Sequence, residues 1–530
     1  MPKIKLSEIK WGPIDAGRPD ENFLEKLCEP ESFSRLLADD CSLISGEKGS
    51  GKTAVRQALL QKYANRYFAI ADISFDQLEF TRIVKDLLAL AELTSLEALN
   101  LLRNYWRYCL IVEAMRAFVS TQRANAFSEA TKIRTWLANG SGGGQGIMDT
   151  MLDLLARAWS YAANETAPAK KTRWGTSQLP DNLTARIIDT IRRLPNEEAA
   201  FQRMEKLFVK VMEQCEQPIL LILDGFDTIR NASKIRHNVN LVFESLCTAA
   251  YALTCEKSLS KFVQLKALIP NDRFINMSLR DSDKLNEFHR AIRWDYQSLK
   301  LFLLKRMQCH PRLRGVKEFS TAWTSILPEK IINPHYKIEE DTYEYILRHS
   351  MYRPRHLQIH LNNLANLYEG RSITSSMVTR SLAQSSKEVA SFYLKEYELD
   401  HPNLDKLLSS SFKGKENVMP YGVFRGIIAD GLKTYRVKYV TVDEKIDVLY
   451  SIGFFGIVER LSDRRKVDTL DRYYPPRKTT VGPYKVDFYY SEATQRRNVS
   501  HTLSDNSLIA LHPVFVDYVD MAPHEELIIG

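Results

Sequence analysis

Nothing in these 530 residues reads as a zinc knuckle or a disulfide framework. The seven cysteines (Cys28, Cys41, Cys109, Cys215, Cys247, Cys255 and Cys309) are odd in number, scattered, and include no CxxC pair. They read as reduced thiols of a cytosolic protein. Long hydrophobic runs are missing as well. The strongest, PILLILDGF at 218–226, is far too short to cross a bilayer. The opening MPKIKLSEIKWG lacks the apolar stretch of a secretion signal. The expectation is a cytoplasmic protein with no membrane partner. No fixed-period repeat emerges. No Ser-His-Asp, Cys-His or two-metal nuclease pattern stands out, so an effector activity is expected to belong to another polypeptide. His356 and His360 lie four apart with no third ligand and no HExxH glutamate, which argues against a metal site. A net charge of +8 permits contact with nucleic acid without requiring it.

What is present is an α/β pattern. CSLISG at 41–46 reads as a buried strand and KTAVRQALLQKYANR at 52–66 as a helix. Further strands follow at 67–74, 218–224 and 262–269. Continuous apolar strands separated by helices predict a parallel sheet covered on both faces. The gap between the second and third strands predicts a helical insertion over about 85–205. It holds helical stretches at 95–138 and 147–163, with the glycine tract 139–146 and the polar stretch 163–180 as linkers. Residues 296–398 have helical spacing, and from 402 three short helices precede alternating segments, the order of a winged-helix domain. The expected domains are therefore 1–295 with the sheet, 296–400 as a helical lid, and 401–530 as a winged helix.

GEKGSGKT at 46–53 satisfies G-x-x-x-x-G-K-[S/T], which makes the first domain a P-loop NTPase. Gly46 and Gly51 permit backbone angles closed to other residues, so successive N–H groups can turn inward on phosphates. Gly49 and Ser50 keep the turn small. Lys52 places an ammonium against the β- and γ-phosphates, and Thr53 offers a hydroxyl to Mg²⁺. The helix that follows points its positive end at the same anion. A carboxylate at the tip of an adjacent buried strand completes such a site, and Asp224, after five apolar residues, supplies it.

Around Asp224 the residues begin to resemble a family. Asp224-Gly225-Phe226-Asp227 looks like the NACHT-type members of the STAND class of signalling ATPases, at their border with the AAA+ ATPases. The resemblance also takes in the lead-in WGPIDAGRPDENFLEKL, the GEKGSGKTA loop, the RPR segment at 353–355 and the C-terminal domain. It implies ATP as the nucleotide and Asp227 as the second acidic residue. Many AAA+ ATPases carry a glutamate directly after the first acid. Here Gly225 takes that place, and Asp227 is followed by Thr228 where the resembling family often has a further acid, so slow or partner-triggered hydrolysis is as plausible as fast turnover. The position after the fourth strand, PNDRF, would sense the γ-phosphate through Asn271 or Arg273; a plain surface turn is the other reading. Asp272 is disfavoured there by its charge.

By resemblance to the lid of origin-recognition-type initiator ATPases, Arg353 or Arg355 would reach back to the γ-phosphate, Arg355 being favoured. The alternative is a structural arginine. A nucleotide-controlled switch is implied, which self-associates and engages a separate effector or partner protein, in bacteria often in antiphage defence. The second reading is an initiator-type ATPase that binds duplex DNA. Asp443, Glu444 and Asp447 on the third C-terminal helix disfavour groove insertion, whereas Arg464, Arg465, Lys466, Arg472, Arg477 and Lys478 form either a DNA-contacting wing or a solvated loop.

Overall fold

The structure is a computed structural model and describes residues 3–29, 31–74, 95–140, 199–226, 236–271, 274, 282–334, 339–398, 401, 403–435, 440–460, 484–487 and 499–522. Contacts divide the chain into two compact units. One comprises Glu31–Lys48 and Lys52–Ile292, the other Met1–Pro30, Gly49–Gly51 and Arg293–Gly530.

The first unit is built on β1 (Leu43–Gly46), β2 (Ala69–Ser74), β3 (Ile219–Asp224), β4 (Val263–Pro270) and β5 (His289–Ala291). All pair in parallel, in the order β2-β3-β4-β1-β5. β3 is buried along its whole length, as a strand covered on both faces must be. The first four strands lie where their apolar runs predict, within one or two residues at the ends. β5 has no such run. Its residues HRA are half-buried, and pairing with β1 holds it at the sheet edge.

The sheet order corrects one expectation. The sequence places Asp224 on the strand adjacent to that of the phosphate loop, but β4 lies between β1 and β3. Apolar strands of similar length are interchangeable by pattern alone, and their order follows from how the crossovers pack.

Of the predicted insertion, the helices Ser95–Ser120, Ser128–Gly140 and Ala199–Met212 are described. Residues 141–198, with most of the glycine tract and the polar stretch, lie outside the described residues. The helix Ser95–Ser120 is no appendage. Tyr105, Trp106, Tyr108, Leu110, Met115 and Phe118 are all buried, in one core with β2, β3 and the helix Arg236–Cys255. Of the charges on this helix, Arg107 is paired with Glu205 and Glu256, and Arg116 with Glu113. Its Trp106 indole donates to Ser245 Oγ at 3.1 Å, which satisfies the one polar atom the ring carries. Each of these large side chains contributes on the order of 2 kcal/mol through burial.

In the second unit the lead-in belongs to the core. Ile4, Leu6, Ile9 and Trp11 pack with Leu299, Phe302 and Leu361. Arg306, on the helix Tyr296–Gln308, donates to the carbonyls of Trp11 and Lys26, both at 3.0 Å. A short antiparallel pair, β6 (Lys330–Ile332) and β7 (Glu339–Asp341), precedes the helices Thr342–Arg348, Pro354–Leu367 and Ser375–Glu398. Three helices then follow, Leu404–Ser411, Tyr421–Thr434 and Val442–Ser451.

An antiparallel sheet joins them, with β8 (Val418–Pro420), β9 (Phe455–Arg460), β10 (Tyr484–Asp487) and β11 (Leu508–Leu511) in the order β10-β9-β11-β8. Tyr393 and Leu394 of the helix Ser375–Glu398 share one apolar core with Leu408, Phe424, Phe454 and Phe515. The basic residues Arg464 to Lys478 lie outside the described residues. Among those described, no helix is long and apolar enough to cross a membrane. No disulfide joins the seven cysteines.

Candidate phosphate-binding site

β1 ends at Gly46, and the helix Lys52–Gln61 begins six residues later. Between them the chain turns through Gly49 at φ +82° and Gly51 at φ +107°. These are the two positions that require glycine for their backbone angle. Gly46, expected to be one of them, instead keeps strand register with Pro270. Gly49 has a second reason to be glycine. A Cβ there would come within 3.0 Å of Arg355 Cβ, in the same unit. Arg355 also points its backbone N–H at the Gly49 carbonyl, 3.5 Å away, and the Trp294 indole donates to the Ser50 carbonyl at 2.6 Å.

Lys52 is buried, and its Nζ donates to the carbonyls of Gly46 at 2.8 Å and Glu47 at 3.3 Å. Thr53, half-buried, opens the helix beside it. Asp224 is 7 % exposed at the tip of β3, and its Oδ1 accepts from the Gly225 amide at 2.8 Å. That short bridge needs the turn at Gly225, where φ is +94°. Its Oδ2 lies 3.9 Å from Arg56 on the phosphate-loop helix. Arg56 itself grips Asp72 of β2 with two bonds, Nε to Oδ1 at 2.6 Å and Nη2 to Oδ2 at 2.7 Å. The hydrogen bonds and charge of Asp72 hold the guanidinium firmly protonated, above its ordinary range. Arg56 is three residues beyond Thr53, on the same side of the helix. Asp224 therefore stands along the face on which Thr53 lies.

Asn271, the first residue after β4, meets the loop directly. Its Nδ2 donates to Glu47 Oε1 at 3.0 Å, and its Oδ1 accepts from Ser45 Oγ at 3.0 Å. Ser45 in turn lies 2.7 Å from His289 Nε2, whose ring stacks on Phe274 with centroids 3.8 Å apart. Neither Ser45 nor His289 carried a signal in the sequence. Asp72 carried a weak one, as a lone acid in an apolar strand. Asp227, Asp272 and Arg273 lie outside the described residues.

The arginines of the RPR segment separate. Met351 and Tyr352 take left-handed angles, φ +51° and +53°, which cost about 1–2 kcal/mol each in non-glycine residues. The turn they make delivers Arg353 to the interior. It is 5 % exposed, donates to Tyr393 Oη at 3.0 Å and lies 4.7 Å from that ring's centroid. Arg353 was expected among the nucleotide ligands; here its guanidinium meets Tyr393. Its guanidinium is used in packing, the structural alternative left open for the pair. Arg355, one residue inside the helix, is the arginine beside the loop.

His356 and His360 are buried away from any metal-ligand set. His360 has Ser385 Oγ at 2.6 Å from Nδ1 and the His349 carbonyl at 2.7 Å from Nε2. Among the described residues no group of three or more His, Cys, Asp or Glu could hold a metal ion.

The residues fit a polyphosphate on two observations besides the loop's shape. Ser50 Oγ and Arg355 Nε are both buried without a hydrogen-bond partner. A buried polar atom left unmatched is costly unless a ligand completes it. No protein-family model matches the chain, and no curated protein does. Among solved structures it is similar to the ORC2 protein of Aeropyrum pernix, solved as ADPNP-ADP complexes. The identity is 13%, over 80% of this chain and 84% of that one, with a TM-score of 0.30. A likeness that weak bears no weight. The fold reading rests on the parallel sheet and the loop.

Proposed function

We propose that this protein binds a nucleoside triphosphate with Mg²⁺ and hydrolyses it slowly, and that the bound nucleotide governs its assembly. The observation that carries the reading is the 3.9 Å approach of Arg56 to Asp224. It aligns an acid from a distant strand with the helix that starts at Lys52 and Thr53. ATP is the nucleotide that the resemblance to STAND and AAA+ ATPases implies.

Each residue then has a task. Lys52 exchanges two loop carbonyls for β- and γ-phosphate oxygens, while amides of the loop face the same charge. Thr53 and Asp224 would hold Mg²⁺, which supplies neutralisation of the β- and γ-oxygens. Asn271 presents an amide N–H at the loop, where the γ-phosphate develops charge. In hydrolysis a water oxygen bonds to the γ-phosphorus, the bond to the bridging oxygen breaks, and the water's proton passes to a base. Gly225 stands where a glutamate would serve, so the base is Asp227 or comes from a partner, and turnover is slow.

Lys52→Ala should weaken triphosphate binding about 100-fold or more, the scale of losing a charge-assisted contact to two phosphates. Calorimetric titration measures it, and wild-type affinity in that variant would sink the reading. Assembly is tested by gel filtration. A larger particle is expected with a non-hydrolysable ATP analogue than with ADP, and equal masses would remove the switch.

In the initiator-type reading DNA would be held by the basic segment Arg464 to Lys478, which lies outside the described residues; insertion of the helix Val442–Ser451 is disfavoured by that helix's own contacts. Asp443 pairs with Arg425 at 3.1 Å, Glu444 closes a capping box with Thr441, and Asp447 accepts from Ser500 N and Oγ at 2.9 and 3.0 Å. Lys445, the helix's cation, is buried. Such a helix offers phosphates little to bind.

A further inference from the structure

The contacts of Asn271 have a direction, and the direction follows from chemistry. The Glu47 carboxylate can only accept, so the amino group of Asn271 must be the end that faces it, at 3.0 Å. The carbonyl end then faces Ser45, whose hydroxyl must donate, also at 3.0 Å. With that proton committed, Ser45 Oγ accepts from His289, and Nε2 is the protonated ring nitrogen, 2.7 Å away. The three bonds run one way, from β5 through β1 to the loop. Ser45 is fully buried, and Phe274 stacked on the imidazole at 3.8 Å fixes the ring plane. Were the hydroxyl absent, the Glu47 bond alone would hold the amide, and its carbonyl would lose its donor, so the amino end would be held less firmly toward the loop.

We infer that His289 and Ser45 are positioning residues that hold the amino end of Asn271 toward the phosphate loop, and so set the preference for nucleoside triphosphate over diphosphate. This rests on the nucleotide reading above. An amide nitrogen carries two N–H groups. One is on Glu47, and the second is the donor offered to the γ-phosphate. A diphosphate has no group to receive it. The carbonyl end, if turned inward, would repel the same phosphate. Discrimination of this kind is large because an acceptor facing an anion leaves both unmatched.

The test is equilibrium binding of ADP and of a non-hydrolysable ATP analogue, each with Mg²⁺, to the full chain. Ser45→Ala should weaken the triphosphate about tenfold and ADP less than twofold. Asn271→Asp, which replaces the donor with an acceptor, should do the same or more. If the pair acts through Asn271, the double variant Ser45→Ala with Asn271→Ala should be no weaker than Asn271→Ala alone. His289→Gln, which keeps an N–H near the Nε2 position, should retain the preference that His289→Leu loses; this pair serves if Ser45→Ala fails to fold. Equal losses for ADP and ATP analogue, unchanged affinities, or additive effects in the double variant would each overturn the relay. A wild-type protein that binds neither nucleotide would overturn the nucleotide reading and the relay with it. A wild type that discriminates beside an indifferent Ser45→Ala overturns the relay alone.

Discussion

Two buried polar clusters in this protein invite comparison. In the sheet unit, His289, Ser45, Asn271 and Glu47 form a chain of hydrogen bonds that ends in the phosphate loop. In the other unit, His349, His356, His360 and Arg353 form a denser cluster bonded to backbone carbonyls, a hydroxyl and a tyrosine, with Asp517 3.7 Å from His349 Nε2. Nδ1 of His349 meets the Tyr345 carbonyl at 2.7 Å, and that of His356 meets the Ser350 carbonyl at 2.9 Å. Burial drives His356 and His512 well below the usual imidazole range and His360 down to about 4, so these rings are neutral in the folded protein. Histidines and arginines packed together look more like chemistry than a serine and an asparagine do. The difference lies in where the bonds end. A network that closes on itself supports the fold, and one that ends on a loop of inward-facing amides can meet a ligand.

The comparison breaks most readily by exchange of roles. Lys52→Ala should lower ATP affinity about 100-fold while leaving the melting temperature nearly unchanged, whereas His360→Ala should cost about 2–3 kcal/mol of stability and leave affinity alone. Crossed results, measured by calorimetric titration and thermal unfolding, would mean the clusters have been assigned the wrong way round. Acid provides a second wedge. For a histidine whose folded value is depressed from 6.5 to about 4, stability is intact above pH 6.5. It falls as pH drops from 6.5 toward 4, because only the unfolded chain takes up the proton. For His360 alone this amounts to about 3 kcal/mol by pH 4. Denaturant unfolding at pH 7, 5.5 and 4.5 checks the slope; a flat profile would mean that the rings titrate normally.

Smaller effects sharpen the boundary between the two clusters. Gly49→Ala should weaken nucleotide binding about tenfold, since a left-handed angle and a close approach to Arg355 both oppose a Cβ. Unchanged affinity would show the loop free to rearrange. Arg353→Gln should lower stability by about 1–2 kcal/mol and leave the affinities for ATP and ADP as they were. A selective loss of ATP binding in that variant would return Arg353 to the nucleotide site.

Several parts of this were legible along the chain. The strands β1 to β4 announce themselves because a doubly covered strand has to be apolar throughout. The loop announces itself because phosphate cradling needs particular residues at fixed spacing. β5 was not legible, since an edge strand of HRA needs only one neighbour and no apolar run. The depth of the helix Ser95–Ser120 was missed because its charged residues read as a solvent face, whereas Arg107 and Arg116 are paired with acids. Arg353 and Arg355 were inseparable in sequence. Two left-handed residues ahead of them, Met351 and Tyr352, decide which guanidinium turns inward.

The amino acids by themselves determined the chemistry of one short segment, because eight consecutive residues carry their own glycines, ammonium and hydroxyl. They also determined that a sheet would form around it. Tertiary structure alone decided that β4 separates β1 from β3, that Arg56 reaches from helix to acid, and that His289 and Ser45 orient Asn271. Those contacts join residues 16 to 244 positions apart. No local pattern can encode them, because they exist only once the strands have chosen their neighbours.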